Sequence, residues 1–221
     1  SGGISGLGFL SLADPFSTAR TVSADGAVIA GSSHDAGGVM HAYRWSSGVF
    51  TALNTFSCSL CDPITEGYGV SGNGLVVVGS GAARSAGGAL HVDPVRWPGG
   101  GTGISDLGNL TASTEIGEAF GAADTGTVIA GSHTSTAGRD AWYWTGSGLV
   151  VLPRLSAGTK VTAGAVAVSR DASTIVGYSN AGTLTLPGGT VVASDLQAVR
   201  WFGASFGTIQ SLGPFPGAVN T

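Results

Sequence analysis

One pattern recurs four times along the chain, and it constrains the fold more than any other feature of the sequence. Each copy opens with a turn and runs into an apolar strand that ends in Gly. The copies are Ser23-Ala24-Asp25-Gly26 with Val28-Ile29-Ala30-Gly31, and Ser71-Gly72-Asn73-Gly74 with Val76-Val77-Val78-Gly79. Then come Ala123-Asp124-Thr125-Gly126 with Val128-Ile129-Ala130-Gly131, and Ser169-Arg170-Asp171-Ala172 with Thr174-Ile175-Val176-Gly177. The final Gly falls at 31, 79, 131 and 177, in steps of 48, 52 and 46 residues. Asp-Gly and Asn-Gly adopt the positive φ angles of tight hairpins.

A second segment follows each copy and carries a Trp: Ala42-Tyr43-Arg44-Trp45, Asp93-Pro94-Val95-Arg96-Trp97, Ala141-Trp142-Tyr143-Trp144 and Ala198-Val199-Arg200-Trp201. A Gly-rich turn and a further apolar strand close the unit, over 49–53, 103–110, 149–155 and 208–215. Each unit thus offers about four short strands, and the units span about 12–53, 54–110, 111–155 and 156–215. Period two places Tyr43 with Trp45, Val95 with Trp97, Trp142 with Trp144 and Val199 with Trp201 on one strand face. That face is expected to pack on a neighbouring sheet, with Trp45, Trp97, Trp144 and Trp201 as the inter-unit packing residues.

A small antiparallel sheet with two apolar faces cannot cover both alone, so such units stack around an axis. The fold class is therefore all-β: a β-propeller-like array of about four four-stranded antiparallel units with a period of about 49 residues. An open stack of sheets and a β-solenoid are the alternatives, and a solenoid coil is nearer twenty residues. Composition agrees. The chain of 221 residues has 39 Gly, 10% charged residues and a single Lys, Lys160, which excludes collagen-like, coiled-coil and disordered classes. Gly3 to Leu10 reads as a fifth copy of the closing strand, and Ala218-Val219-Asn220 as the start of a fifth unit. The expectation is a processed chain or part of a longer product, whose terminal strands belong to further blades or else pair with another subunit.

On the opposite face of the Trp strand stand Arg44, Arg96, Tyr143 and Arg200, while the turn carries Asp25, Asn73, Thr125 and Asp171 in the same order. Where Arg is lost, the acid is lost too. The expectation is a structural clamp within each unit: Asp25 with Arg44, Asn73 with Arg96, Asp171 with Arg200.

Cys58 and Cys61, in Cys-Ser-Leu-Cys, are the only cysteines. The leading reading is a local disulfide pinning a loop, which suits an oxidising setting. Redox chemistry and half a zinc site are the other readings, but no second CxxC or paired-His motif supplies the remaining ligands. The net charge is −4, and the Arg residues are scattered singly, which opposes nucleic-acid binding. No apolar run approaches the eighteen or so residues of a spanning helix, so no membrane insertion by this segment is expected.

With Leu7-Gly8, Leu107-Gly108 and Leu212-Gly213 ahead of the next copy, the segment His41-Ala42-Tyr43-Arg44-Trp45 resembles the extracellular HAF repeat, named for a His-Ala-Phe tripeptide before a Trp. Asp140-Ala141-Trp142 and Gln197-Ala198-Val199 are looser matches, and in the second copy an insertion separates His91-Val92 from Arg96-Trp97. The resemblance spans essentially the whole chain. It implies a secreted or cell-surface bacterial repeat protein, similar to autotransporter passengers. It carries no catalytic residues to this chain.

Other chemistry is thin. Gly203-Ala204-Ser205-Phe206-Gly207 matches G-x-S-x-G but lies in a hairpin rather than a strand-to-helix turn. His34 and His133 read as comparable surface-loop positions, beside His41 and His91. Glu115 and Glu118 read as a solvated loop. Each turn holds a single acid, short of the oxygens calcium needs. No catalytic, metal or cofactor residue is assigned, and no cofactor is expected. The leading function is a binding or adhesion module acting through loops, notably 54–65 and 180–194, on an unknown protein or glycan surface ligand. The alternatives are a self-associating structural subunit that pairs edge strands, and a secreted enzyme with an axial pocket.

Overall fold

The structure, a computed structural model, describes residues 3–57, 64–84, 90–110, 116–136, 138–156, 161–185 and 191–213. Within them it is all-β. Four four-stranded antiparallel meanders follow one another, each inside one copy of the repeat. Unit 1 is β1 (Ser17–Val22), β2 (Val28–His34), β3 (Met40–Ser46) and β4 (Val49–Ala52). Unit 2 is β5 (Thr65–Val70), β6 (Val77–Arg84), β7 (Leu90–Trp97) and β8 (Ser105–Asp106). Unit 3 is β9 (Ile116–Ala122), β10 (Ile129–Ser135), β11 (Gly138–Trp144) and β12 (Leu149–Val151). Unit 4 is β13 (Val161–Val168), β14 (Thr174–Thr185), β15 (Val191–Phe202) and β16 (Thr208–Ser211). Short parallel bridges, Val92 to Ile116 and Gly138 to Val161, link units 2, 3 and 4 at their edges.

The turns between the first two strands of each unit are built by the recurring residues. Ser23 Oγ donates to Asp25 Oδ1 at 2.6 Å and accepts from the Val28 N–H, while Asp25 Oδ1 also accepts from Ala27. Ser71 with Asn73, and Ser169 with Asp171, repeat the arrangement. Gly26, Gly74 and Gly126 have φ near +70 to +76°, and Ala172 follows at 59°. In unit 3 Thr125 and Thr127 bond to each other instead. A ladder of backbone bonds ties each turn to the next: Ala24 N–H to Gly72 C=O, Asn73 N–H to Asp124 C=O, and Asp124 N–H to Arg170 C=O.

The core lies between units rather than within them, because a single meander has no interior. Val28, Ala30, Ala42 and Leu53 of unit 1 meet Val70, Val77, Val95 and Trp97 of unit 2. Val76, Val78 and Leu107 of unit 2 meet Ala119, Ile129, Trp142 and Trp144 of unit 3. Val128, Ala130, Tyr143 and Leu152 of unit 3 meet Ile175, Val199 and Trp201 of unit 4. Each unit therefore has a front face that carries the Trp and a back face that receives the next one. Trp97 and Trp201 also donate their indole N–H groups across the boundary, to the Asn54 and Pro153 carbonyls at 2.8 and 2.7 Å. Trp97, Trp144 and Trp201 are buried at these boundaries, whereas Trp45, expected to pack in the same way, is only half-buried.

The fixed Gly of each repeat has a steric reason. The first strand of every unit is bulged by one residue, at Arg20, Tyr68, Phe120 and Val166. The bulge turns a carbonyl towards the partner strand. A Cβ on Gly31, Gly79, Gly131 or Gly177 would fall on the carbonyl oxygen of Thr18, Glu66, Glu118 or Gly164 respectively.

Three expectations need correction. Residues 180–194 are not simply a loop: β14 and β15 run on as a hairpin that pairs Asn180 with Leu196 and Thr185 with Val191. Gly3 to Leu10 forms no strand ladder. The clamp does not form, because the Ser of each turn engages the Asp or Asn two residues on. Asp25 is held by Ser23 and Ala27, and Arg44 reaches the Gly74 carbonyl of unit 2. Asn73 is held by Ser71 and Leu75, while Arg96 lies over the Trp144 ring at 4.2 Å. Asp171 is held by Ser169 and Ser173, while Arg200 bonds Gln210 on the neighbouring strand and stacks on Phe202.

Candidate functional site

The first strands of all four units converge, and Thr21, Gly69, Phe120 and Val166 with their neighbours line a cavity of about 160 Å³. The bulges put four unlike side chains at one register beside it: Arg20, Tyr68, Phe120 and Val166. Two residues earlier in each strand stand Thr18, Glu66, Glu118 and Gly164.

From these positions a polar and aromatic cluster forms across units 1 to 3. Arg20 bonds Glu66 at 2.9 Å and lies 5.1 Å from the centre of the Tyr68 ring. The Tyr68 and Phe120 rings are 5.3 Å apart. Arg139, from β11, bonds Glu118 at 2.8 Å and Ser132, with its guanidinium 5.9 Å from the Phe120 ring. Ser80 Oγ is 3.4 Å from the Tyr68 hydroxyl. The two ion pairs leave no net charge in the cluster. Burial pushes the Tyr68 hydroxyl up to about 12, and the charges of Glu66 and Glu118 add to that, so it stays neutral and accepts from Ser80. The result is a half-exposed surface of two ring faces flanked by guanidinium, carboxylate and hydroxyl groups.

No sequence reading singled out Arg20, Tyr68 or Phe120. Their only shared signal is position, each eleven residues before the fixed Gly, and their types differ. Glu118, expected in a solvated loop, lies in β9 and pairs with Arg139; Glu115 falls outside the described residues.

The histidines lie elsewhere, on strands or strand ends rather than in loops. His34 ends β2 and meets Asp14 at 3.0 Å. His41 meets Asp35, and His91 meets Asp93, both at 3.1 Å. Burial raises Asp93 above the ordinary carboxylate range, although Asn109 donates to it at 2.6 Å. His133 is buried within β10. Among the described residues no group of three or more His, Cys, Asp or Glu is placed to hold a metal ion. Ser205 sits in a 3₁₀ turn at φ 51°, between β15 and β16, and no helix follows it. Cys58 and Cys61 lie outside the described residues. No helix among those residues is long and apolar enough to cross a membrane.

No family model and no curated protein matches the chain. Solved structures do. A putative TolB from Agrobacterium tumefaciens aligns with a TM-score of 0.58 at 14% identity, over 93% of this chain and 68% of that one. TolB from Acinetobacter baumannii aligns with a TM-score of 0.52 at 13% identity, over 91% of this chain and 44% of that one. At such identities the likeness speaks for the fold alone, and the fold it supports is β-propeller-like.

Proposed function

We propose that this protein is a secreted or cell-surface bacterial binding module. Its four units serve as propeller blades, and its partner, a protein or glycan surface, docks where the first strands converge. The observation that carries this reading is the cluster of Arg20, Tyr68, Phe120 and Arg139 with Glu66 and Glu118. Tyr and Arg are the residues most enriched at binding hot spots, and here both are held in place by neighbours from another unit or strand. Charge-balanced groups beside ring faces suit a polar, uncharged surface. The HAF-like pattern supports export. Placing the partner on this cluster moves it away from the loops that sequence favoured.

The test is binding of the whole chain to immobilised glycans and to extracts of surface proteins, with Tyr68→Ala and Arg20→Ala beside the parent. A loss of tenfold or more with unchanged circular dichroism supports the assignment. Equal binding by all three chains removes the cluster from consideration. Fractionation of the producing cells checks export.

A further inference from the structure

Three boundaries join the four units, and one differs from the other two on the side of the turns. Between units 1 and 2, Arg44 reaches across to the Gly74 carbonyl. Between units 2 and 3, Arg96 lines a cavity of about 400 Å³ and lies over the Trp144 ring. Between units 3 and 4 the same register holds Tyr143. A cavity of about 440 Å³ opens there, with Tyr143 and Thr145 of unit 3 on one side and Ala172, Ser173, Ser205 and Phe206 of unit 4 on the other. None of the described residues that line it is charged. Its volume falls among those of small-molecule sites, about 300–1,000 Å³.

Two observations mark this cavity as a site. Tyr143 is only 8% exposed, yet its hydroxyl still reaches solvent and has no hydrogen-bond partner among the described residues. Buried tyrosine hydroxyls ordinarily find a partner. The second observation is backbone strain. Four non-glycine residues have a left-handed backbone among the described ones, and three of them border this cavity: Ala172, Ser205 and Phe206, at φ 59°, 51° and 52°. Strain of this kind gathers at ligand clamps. The Gly203–Gly207 segment, which matches a nucleophile motif in sequence, serves here as a wall.

We propose that the cavity between units 3 and 4 binds a neutral sugar ring. Hydroxyls stand on both of its sides. Those of Tyr143, Thr145 and Ser205 are unpartnered among the described residues, so each can donate or accept. Ser173 donates its proton to Asp171 at 2.8 Å, which leaves its oxygen to accept. Such a set calls for a guest with several hydroxyls and no charge. Val128, Ala172 and Phe206 supply apolar wall for the C–H face of a sugar. The rings of Tyr143 and Phe206 meet edge to face at 5.0 Å, so no parallel slot for a flat aromatic guest lies between them. The site shares no residue with the first-strand cluster and is independent of what that cluster binds.

The test is saturation-transfer NMR on the full chain with the methyl glycosides of glucose, galactose, mannose and N-acetylglucosamine. Phenol and glucuronate serve as aromatic and anionic comparisons. At least one glycoside is expected to bind saturably. Tyr143→Phe and Ser205→Gly should each weaken it about tenfold. Glycine adopts the φ of Ser205 freely, so that variant keeps the wall, and circular dichroism checks both folds. Tyr68→Ala should bind the glycoside as the parent does. A chain that takes up none of the glycosides overturns the proposal, as does one that takes up phenol or glucuronate alone. Parent-like affinity in either cavity variant overturns it too, and so does loss of binding in Tyr68→Ala.

Discussion

The Cβ that Gly31 lacks would fall on the carbonyl oxygen of Thr18, thirteen residues earlier. The same thirteen-residue relationship joins Gly79 to Glu66, Gly131 to Glu118 and Gly177 to Gly164. Alanine at any of these four glycines must push the bulged strand away from its partner. Overpacking of this kind costs about 1–3 kcal/mol. Gly31→Ala should therefore cost at least as much as Gly26→Ala. The latter meets no atom within 4 Å and carries only the strain of its φ of +76°, about 1 kcal/mol. Urea denaturation of the two variants makes the comparison.

The turn serines are the next test. Ser23→Ala leaves the buried N–H of Val28 without its acceptor and frees Asp25. The expected loss is about 1–3 kcal/mol, with a similar loss for Ser71→Ala. Unit 3 has Ala123 at this position, so Ala123→Ser is expected to be neutral or stabilising. Thermal unfolding of the three variants reads this out.

The same turns set an acid limit. The hydroxyl of Ser23 and then the N–H of Ala27 hold Asp25 below the ordinary carboxylate range; Ser169 and then Ser173 do so for Asp171. A lowered folded value means stability that is present above about pH 4 and lost as pH falls through the folded values. The double variant Asp25→Asn, Asp171→Asn keeps the acceptors, as Asn73 does naturally. It should show a smaller fall in melting temperature between about pH 5 and pH 2.

Tyr68 sets an alkaline limit. Its folded value, about 12, lies above that of an unfolded tyrosine, about 10. Stability tied to it is complete below about pH 10 and is lost as pH rises towards 12. Tyr68→Phe should flatten that loss, and absorbance of the ionised phenol should lose its latest-titrating step. An unchanged titration would mean that Tyr68 is open to water.

Tryptophan position decides the cost of truncation. Trp97→Ala and Trp201→Ala empty buried interfaces and strand the Asn54 and Pro153 carbonyls, at about 3–5 kcal/mol each. Trp45→Ala, at a half-buried front face, should cost less than half as much. Equal costs in denaturant would show that Trp45 is covered in solution.

Much of this was legible in the sequence because the repeat fixes register. Once the glycines at 31, 79, 131 and 177 are aligned, alternation alone puts Trp97, Trp144 and Trp201 on one face, and the interfaces follow. The Arg and Asp clamp was misread because co-occurrence carries no direction. The turn residues bond locally with Ser23, Ser71 and Ser169, whereas Arg44 and Arg96 point to the next unit. The Arg20, Tyr68 and Phe120 cluster escaped notice because a bulge has no residue type of its own. It is visible only as an extra residue in one strand of a pair. The β14–β15 hairpin was hidden by its length, since its outer half exceeds that of every other unit.

Interfaces that are all back face to front face make the units interchangeable in kind. Removing the stretch between two equivalent glycines, such as 131 and 177, would join faces of the same pair of types and create no new surface. Such a gene can lengthen or shorten by whole blocks through recombination between its own repeats, and each product keeps the same kind of interface at every junction.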